Sequence, residues 1–103
     1  MLKSPMKISA AARAQIALGL DRIKARTGVE CIPAVMWVDS ELNNGIVPSG
    51  VLMGAFTEAQ RNEIAHILRS DNGYEYVLSV AEEDFVRFVG KTLDYRDDNY
   101  VLV

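Results

Sequence analysis

Apolar positions first recur at helical spacing. Ala12, Ile16, Leu20 and Ile23 make one stripe, Ser9 is a suitable N-cap, and Gly28 stands where a left-handed C-cap is wanted, so the spacing predicts a helix over residues 9–27. Arg22, Lys24 and Arg26 crowd its last turns, where positive charge meets the negative end of the helix dipole. From residue 29 to 38 the pattern changes. Cys31, Ile32, Ala34, Val35, Met36, Trp37 and Val38 leave almost no polar alternation, which predicts a strand covered on both faces, with Val35 and Trp37 largely buried. Pro33 lacks a backbone donor and marks an edge, a bulge or the strand's beginning.

Residues 39–45 form a polar turn closing on Asn44 and Gly45, a hairpin signal, and residues 46–56 return as a second strand interrupted by Pro48 and Gly50. Thr57 and Gln60 have capping-box spacing and predict a second helix to about residue 69, with Ile64, Ile67 and Leu68 on one side. A turn over 70–73 leads to a strand carrying Tyr74, Tyr76, Leu78 and Val80. A helical turn over 82–89 stops at Gly90, and residues 93–95 and 100–103 make a closing hairpin. The expected fold class is α+β: an N-terminal helix packed on a mixed or antiparallel sheet with further short helices, in one domain over 8–103 behind a short tail over 1–7. The uncharged segment Tyr100, Val101, Leu102, Val103 invites pairing, either with the segment around Leu93 or with another copy of the chain.

Residues 80–95 run Val-Ala-Glu-Glu-Asp-Phe-Val-Arg-Phe-Val-Gly-Lys-Thr-Leu-Asp-Tyr. This resembles the late segment of the HesB/IscA-like family, the A-type iron–sulfur carriers, with Gly90, Leu93, Asp94 and Tyr95 at matching spacing and Phe85 and Phe88 at its apolar positions. The opening Ile8-Ser9-Ala10-Ala11-Ala12, followed by Ile16, is similar to that family's first helix. The resemblance implies a HesB-like fold. It also implies a mid-chain cysteine and a C-terminal Cys-Gly-Cys as cluster ligands, and neither is present. Cys31 lies too early to be carried over, so the expectation is a divergent member that binds no iron–sulfur cluster.

Composition narrows the chemistry further. Clusters need about four soft thiolates, and one cysteine cannot supply them even in a dimer; Cys31 reads as a buried small apolar residue, and no intramolecular disulfide can form. His66, the only histidine, is too few for a zinc site or a histidine-based triad and reads as a partly exposed helical residue. Glu82, Glu83, Asp84, Asp97 and Asp98 fit no EF-hand spacing and read as solvated, whereas Asp94 sits between Leu93 and Tyr95 and needs a partner. No glycine-rich phosphate loop is present. No cofactor or metal is expected.

The net charge of -3 argues against a phosphate-neutralising surface. It is unevenly placed: residues 1–28 hold six Lys/Arg against Asp21 alone, and the remainder holds five basic and thirteen acidic residues. No aromatic is interleaved with the basic residues, so nucleic acid is not an expected partner. A basic helix face beside an acidic sheet is the plainer account. No signal peptide or membrane span is read, and the expected place is the cytoplasm. Trp37, Tyr74, Tyr76, Asp94, Tyr95 and Tyr100 are the candidate interaction or pocket residues. The reading is a non-catalytic protein-interaction or self-associating domain, with another protein or its own copies as partner, rather than an enzyme. The alternative is a small-molecule-binding domain with an apolar pocket between helix and sheet.

Overall fold

A computed structural model describes residues 2–39 and 49–103, so the predicted turn at Asn44 and Gly45, and Pro48, lie outside the described residues. The architecture is α+β, built on a five-stranded and a three-stranded sheet. Helix α1, Ala10–Thr27, starts where the Ser9 hydroxyl accepts from the Ala12 N–H at 3.1 Å. It ends where Gly28, at φ 71°, bonds back to the Lys24 carbonyl at 2.7 Å, a conformation that glycine adopts without a Cβ penalty. Ala12 and Ile16 are buried and Leu20 packs beside them, as the stripe predicts.

The expected tail over 1–7 is not a tail. Leu2–Lys3 (β1) pairs in parallel with a later strand and Lys7–Ile8 (β2) joins the smaller sheet, with Met6 only 3% exposed between them. Two-residue strands have no periodicity to read, and long-range pairing alone defines them. Next come β3, Cys31–Val38, and β4, Gly50–Thr57, which pair antiparallel over their full lengths. Val35 is fully buried and Trp37 is partly buried against the same core, whereas Cys31, expected to be buried, is only half-buried. Pro33 stands one residue before the first registered pair with a neighbouring strand on the far side of β3, at the beginning of that ladder, where a missing donor is tolerated.

The predicted second helix is replaced by two short 3-10 turns, Glu58–Gln60 and Ala65–Ile67. The capping box is real, with the Gln60 carboxamide oxygen accepting from the Thr57 N–H at 3.0 Å. The segment then diverts, because Leu68 opens β5, Leu68–Asp71, which pairs antiparallel with β6, Tyr74–Leu78. Cross-strand pairing and burial of Leu68 override the helical spacing of Ile64, Ile67 and Leu68. After α2, Glu82–Phe85, Gly90 turns at φ 74° into β7, Thr92–Arg96. This pairs with β8, Asn99–Leu102, as the predicted closing hairpin.

The large sheet runs in the order β1-β5-β6-β3-β4 and the small one β2-β7-β8. One cluster, with Met6, Ile16, Val35, Tyr76, Phe88 and Leu93 at its centre, joins α1 and the small sheet to one face of the large sheet. On the other face Ile32, Ala34, Val77 and Leu68 pack with Ile64 beneath the 3-10 turns. No helix among the described residues is long and apolar enough to cross a membrane.

Candidate functional site

Strand β4 is where the chain leaves its surface least finished. The Val35 carbonyl accepts from the Ser79 N–H at 2.9 Å on the β6 side, so by strand alternation the main-chain groups of Ala34 and Met36 face β4. Their register partners, Gly54 and Leu52, are therefore bonded to β3, and the N–H and C=O groups of Val51, Met53 and Ala55 turn outward. Among the described residues no strand pairs on that side. The eight residues of β4 carry no charge, and Leu52 is 48% exposed.

Two cavities flank this strand. Ile16, Gly19 and Leu20 of α1, with Met53 and Ala55 of β4, line a groove of about 200 Å³. Nothing lies within 4 Å of where a Gly19 Cβ would stand, so the helix leaves the groove open there. A second cavity of about 410 Å³ lies between Gly50 and Val51 on β4, Val101 and Leu102 on β8, and the side chains of Trp37 and Arg87. Tyr100 lines both. The Arg87 guanidinium lies 4.7 Å from the centre of the Trp37 ring, and Phe88 meets the same ring edge-on at 6.2 Å. The indole N–H of Trp37 is buried and has no acceptor among the described residues.

The candidate residues from the sequence thus divide. Trp37 and Tyr100 come together at the larger cavity, and Tyr95 supports Tyr100 through a ring contact at 5.0 Å. Tyr76 is fully buried, its hydroxyl 2.6 Å from the Ser4 hydroxyl, and belongs to the core. Tyr74 packs under Arg13, whose guanidinium lies 4.6 Å from the ring centre. Burial pushes the phenols of Tyr74, Tyr76 and Tyr100 above the ordinary tyrosine value, partly offset at Tyr74 by the Arg13 charge and at Tyr76 by the Ser4 hydrogen bond. All three therefore stay protonated near neutral pH.

Asp94 has the partners its position demands. It accepts from the Ser9 hydroxyl at 2.6 Å, the Arg96 side chain at 2.7 Å and the Tyr95 N–H at 2.9 Å. The Ser9 bond first, then Arg96 and Tyr95, hold its carboxyl below the usual aspartate value. It is an ionised strut that ties β7 to the start of α1. His66 is exposed on the turn Ala65–Ile67. Among the described residues no three His, Cys, Asp or Glu side chains gather as a metal site. The strand predicted over 46–56 is found as β4, Gly50–Thr57. What sequence reasoning did not settle is that its outer side lacks a neighbour among the described residues, because strand alternation shows which side chains face the core but not which edge is free. No family model, curated protein or solved structure matches the chain.

Proposed function

We propose that this chain is a non-catalytic protein that works by self-association, two copies pairing antiparallel along β4. The observation that carries the reading is the uncharged eight-residue edge with the main-chain groups of Val51, Met53 and Ala55 unpaired among the described residues. Strand addition satisfies such groups and draws its affinity from main-chain hydrogen bonds. The order of side chains suits a two-fold pairing centred on Met53. Val51 then stands opposite Ala55 of the partner subunit, Leu52 opposite Gly54 of the partner subunit and Phe56 opposite Gly50 of the partner subunit. Away from the central Met53, which meets its own copy, each bulky residue meets a small one, and no like charges meet. The groove of about 200 Å³ beside β4 is smaller than the roughly 300–1,000 Å³ of a typical ligand pocket, which suits an inserted side chain.

The proposal includes a relationship to the A-type carriers without their chemistry. Its support is the order of Gly90, Leu93, Asp94 and Tyr95, although each also has a local structural duty: a left-handed turn, a core position, a helix strut and a ring pair. Purified protein is expected to hold no stoichiometric iron or zinc. About one metal per chain, lost on Cys31→Ala, would contradict this.

A second reading, a small-molecule binder, draws on the cavity of about 410 Å³ and the unpaired indole N–H of Trp37. A ligand with an acceptor atom copurifying with the native chain and lost on Trp37→Phe would favour it. Sedimentation decides the main proposal. The native chain should shift from monomer to dimer as concentration rises. The variant Leu52→Lys/Ala55→Lys, altered at two exposed positions, should stay monomeric with an unchanged circular dichroism spectrum. A native chain still monomeric at about 0.5 mM, weaker than a millimolar-class Kd, would overturn the self-association reading.

A further inference from the structure

Between β1 and β2 the chain leaves one sheet and joins the other, and a cavity of about 400 Å³ opens at that seam. Lys3, Lys7 and Lys91 all line it, with Asp71 as the acid among the lining residues. None of the three lysines forms an ion pair among the described residues. Asp71, by contrast, is committed elsewhere. Its carboxylate accepts from the Ile8 N–H at 2.9 Å and from Arg13 at 3.0 Å, and only 12% of its side chain is exposed. The Asp71–Arg13 pair cancels, so the lining keeps the charge of three ammonium groups in a chain whose net charge is -3.

The rim that carries these lysines is fixed. The Gly90 N–H bonds to the Pro5 carbonyl at 3.0 Å and the Lys7 N–H to the Lys91 carbonyl at 3.0 Å, while the Ser4 hydroxyl is tied to Tyr76 at 2.6 Å. The three stems therefore start from a held backbone. Only their tips need to settle on a ligand.

We propose that this seam binds a small phosphate-bearing anion, with Lys3, Lys7 and Lys91 as its charge partners. Ammonium groups act as point charges and suit the spread charge of phosphate oxygens. Three of them are best matched by an anion with several charges. The three lysines, unpaired among the described residues, converge on one cavity, and the chain beyond residue 28 is acidic. Both features favour a small molecule over a nucleic-acid backbone.

Inorganic pyrophosphate titrated into the isotope-labelled full chain tests this site by its amide resonances. Saturable shifts are expected at residues 3, 4, 6, 7 and 90–92 but not at Arg22 and Arg26. Lys7→Ala and Lys91→Ala should each weaken binding by about fivefold or more, the loss of one charge-assisted contact, and salt raised to about 0.2 M should weaken it further. These lysines are exposed, so the variants should keep the native spectrum elsewhere. No saturation by about 10 mM, a millimolar-class limit, or equal shifts at Arg22 and Arg26 would overturn the site. Citrate binding as tightly as pyrophosphate would overturn the assignment to phosphate.

Discussion

At one margin of the five-stranded sheet stands β1, two residues long and carrying Lys3; at the other stands β4, eight residues long and without a charge. Short edge strands and edge lysines are the usual guards against unwanted pairing. The β1 margin has both, and its connection to β2 is locked by Ser4, whose hydroxyl meets Tyr76. Strand β4 has neither. This difference between the two edges is what the proposed self-association along β4 rests on. The same division separates the chemistry, with lysines around the seam beside β1 and apolar cavities beside β4.

The largest expected effect lies on the guarded side. Tyr76 is fully enclosed, so Tyr76→Ala should cost about 3–5 kcal/mol, the range for a buried aromatic cut to alanine. A loss below about 1 kcal/mol in urea unfolding would mean that the core does not hold that margin. Trp37 stands on the open side and is half-buried. Its truncation to alanine should cost less, about 2–3 kcal/mol, because part of the ring already meets solvent. A larger loss at Trp37 than at Tyr76 would reverse the comparison.

The small sheet is tied to the rest by Asp94, and that tie should show in acid. Its carboxyl is held below the ordinary value in the folded chain, so its contribution is complete above the unfolded value near 4. As pH falls through the lower folded value the native chain takes up the proton and the contribution is lost. The stability gap between the native chain and Asp94→Asn should therefore be constant from about pH 7 to 5 and close below about pH 4. A gap that widens in acid would show that the carboxylate is not held by Ser9 and Arg96.

Much of this division could not be read along the chain. The helix over Ala10–Thr27 was legible because Ser9, Gly28 and the stripe of Ala12, Ile16 and Leu20 agree. The closing hairpin was legible from the two short apolar or aromatic runs at 93–95 and 100–103. The segment after Thr57 was not, because its capping box is genuine while Leu68 is claimed by β6 from a distance. For the same reason β1 and β2 gave no signal. From the sequence, Tyr100–Val103 pairs either with the segment around Leu93 or with another copy, and the first alternative is the one found. That segment pairs with β7, whereas the longer uncharged edge is β4. Of the candidate residues, Trp37 and Tyr100 reach a cavity and Tyr76 does not. An aromatic at strand spacing reads the same in the core or at a pocket.

The smallest effect separates folding from function. Gly19 sits inside α1 with open space where a Cβ would stand, so Gly19→Ala should stabilise the chain by about 0.5–1 kcal/mol through helix propensity. The added methyl also narrows the groove beside β4, so dimerisation should weaken while thermal stability rises. A variant improved in both would detach the groove from the interface.

The central claim is that the outward main-chain groups of β4 are satisfied by a second copy. Hydrogen exchange resolved at single amides tests it directly, because Leu52, Gly54 and Phe56 face β3 while Val51, Met53 and Ala55 face outward. The first set should be protected at every protein concentration. The second should exchange fast in dilute solution and become protected as concentration rises, in step with the shift in mass. Fast exchange at Val51, Met53 and Ala55 that does not change with concentration would contradict the account.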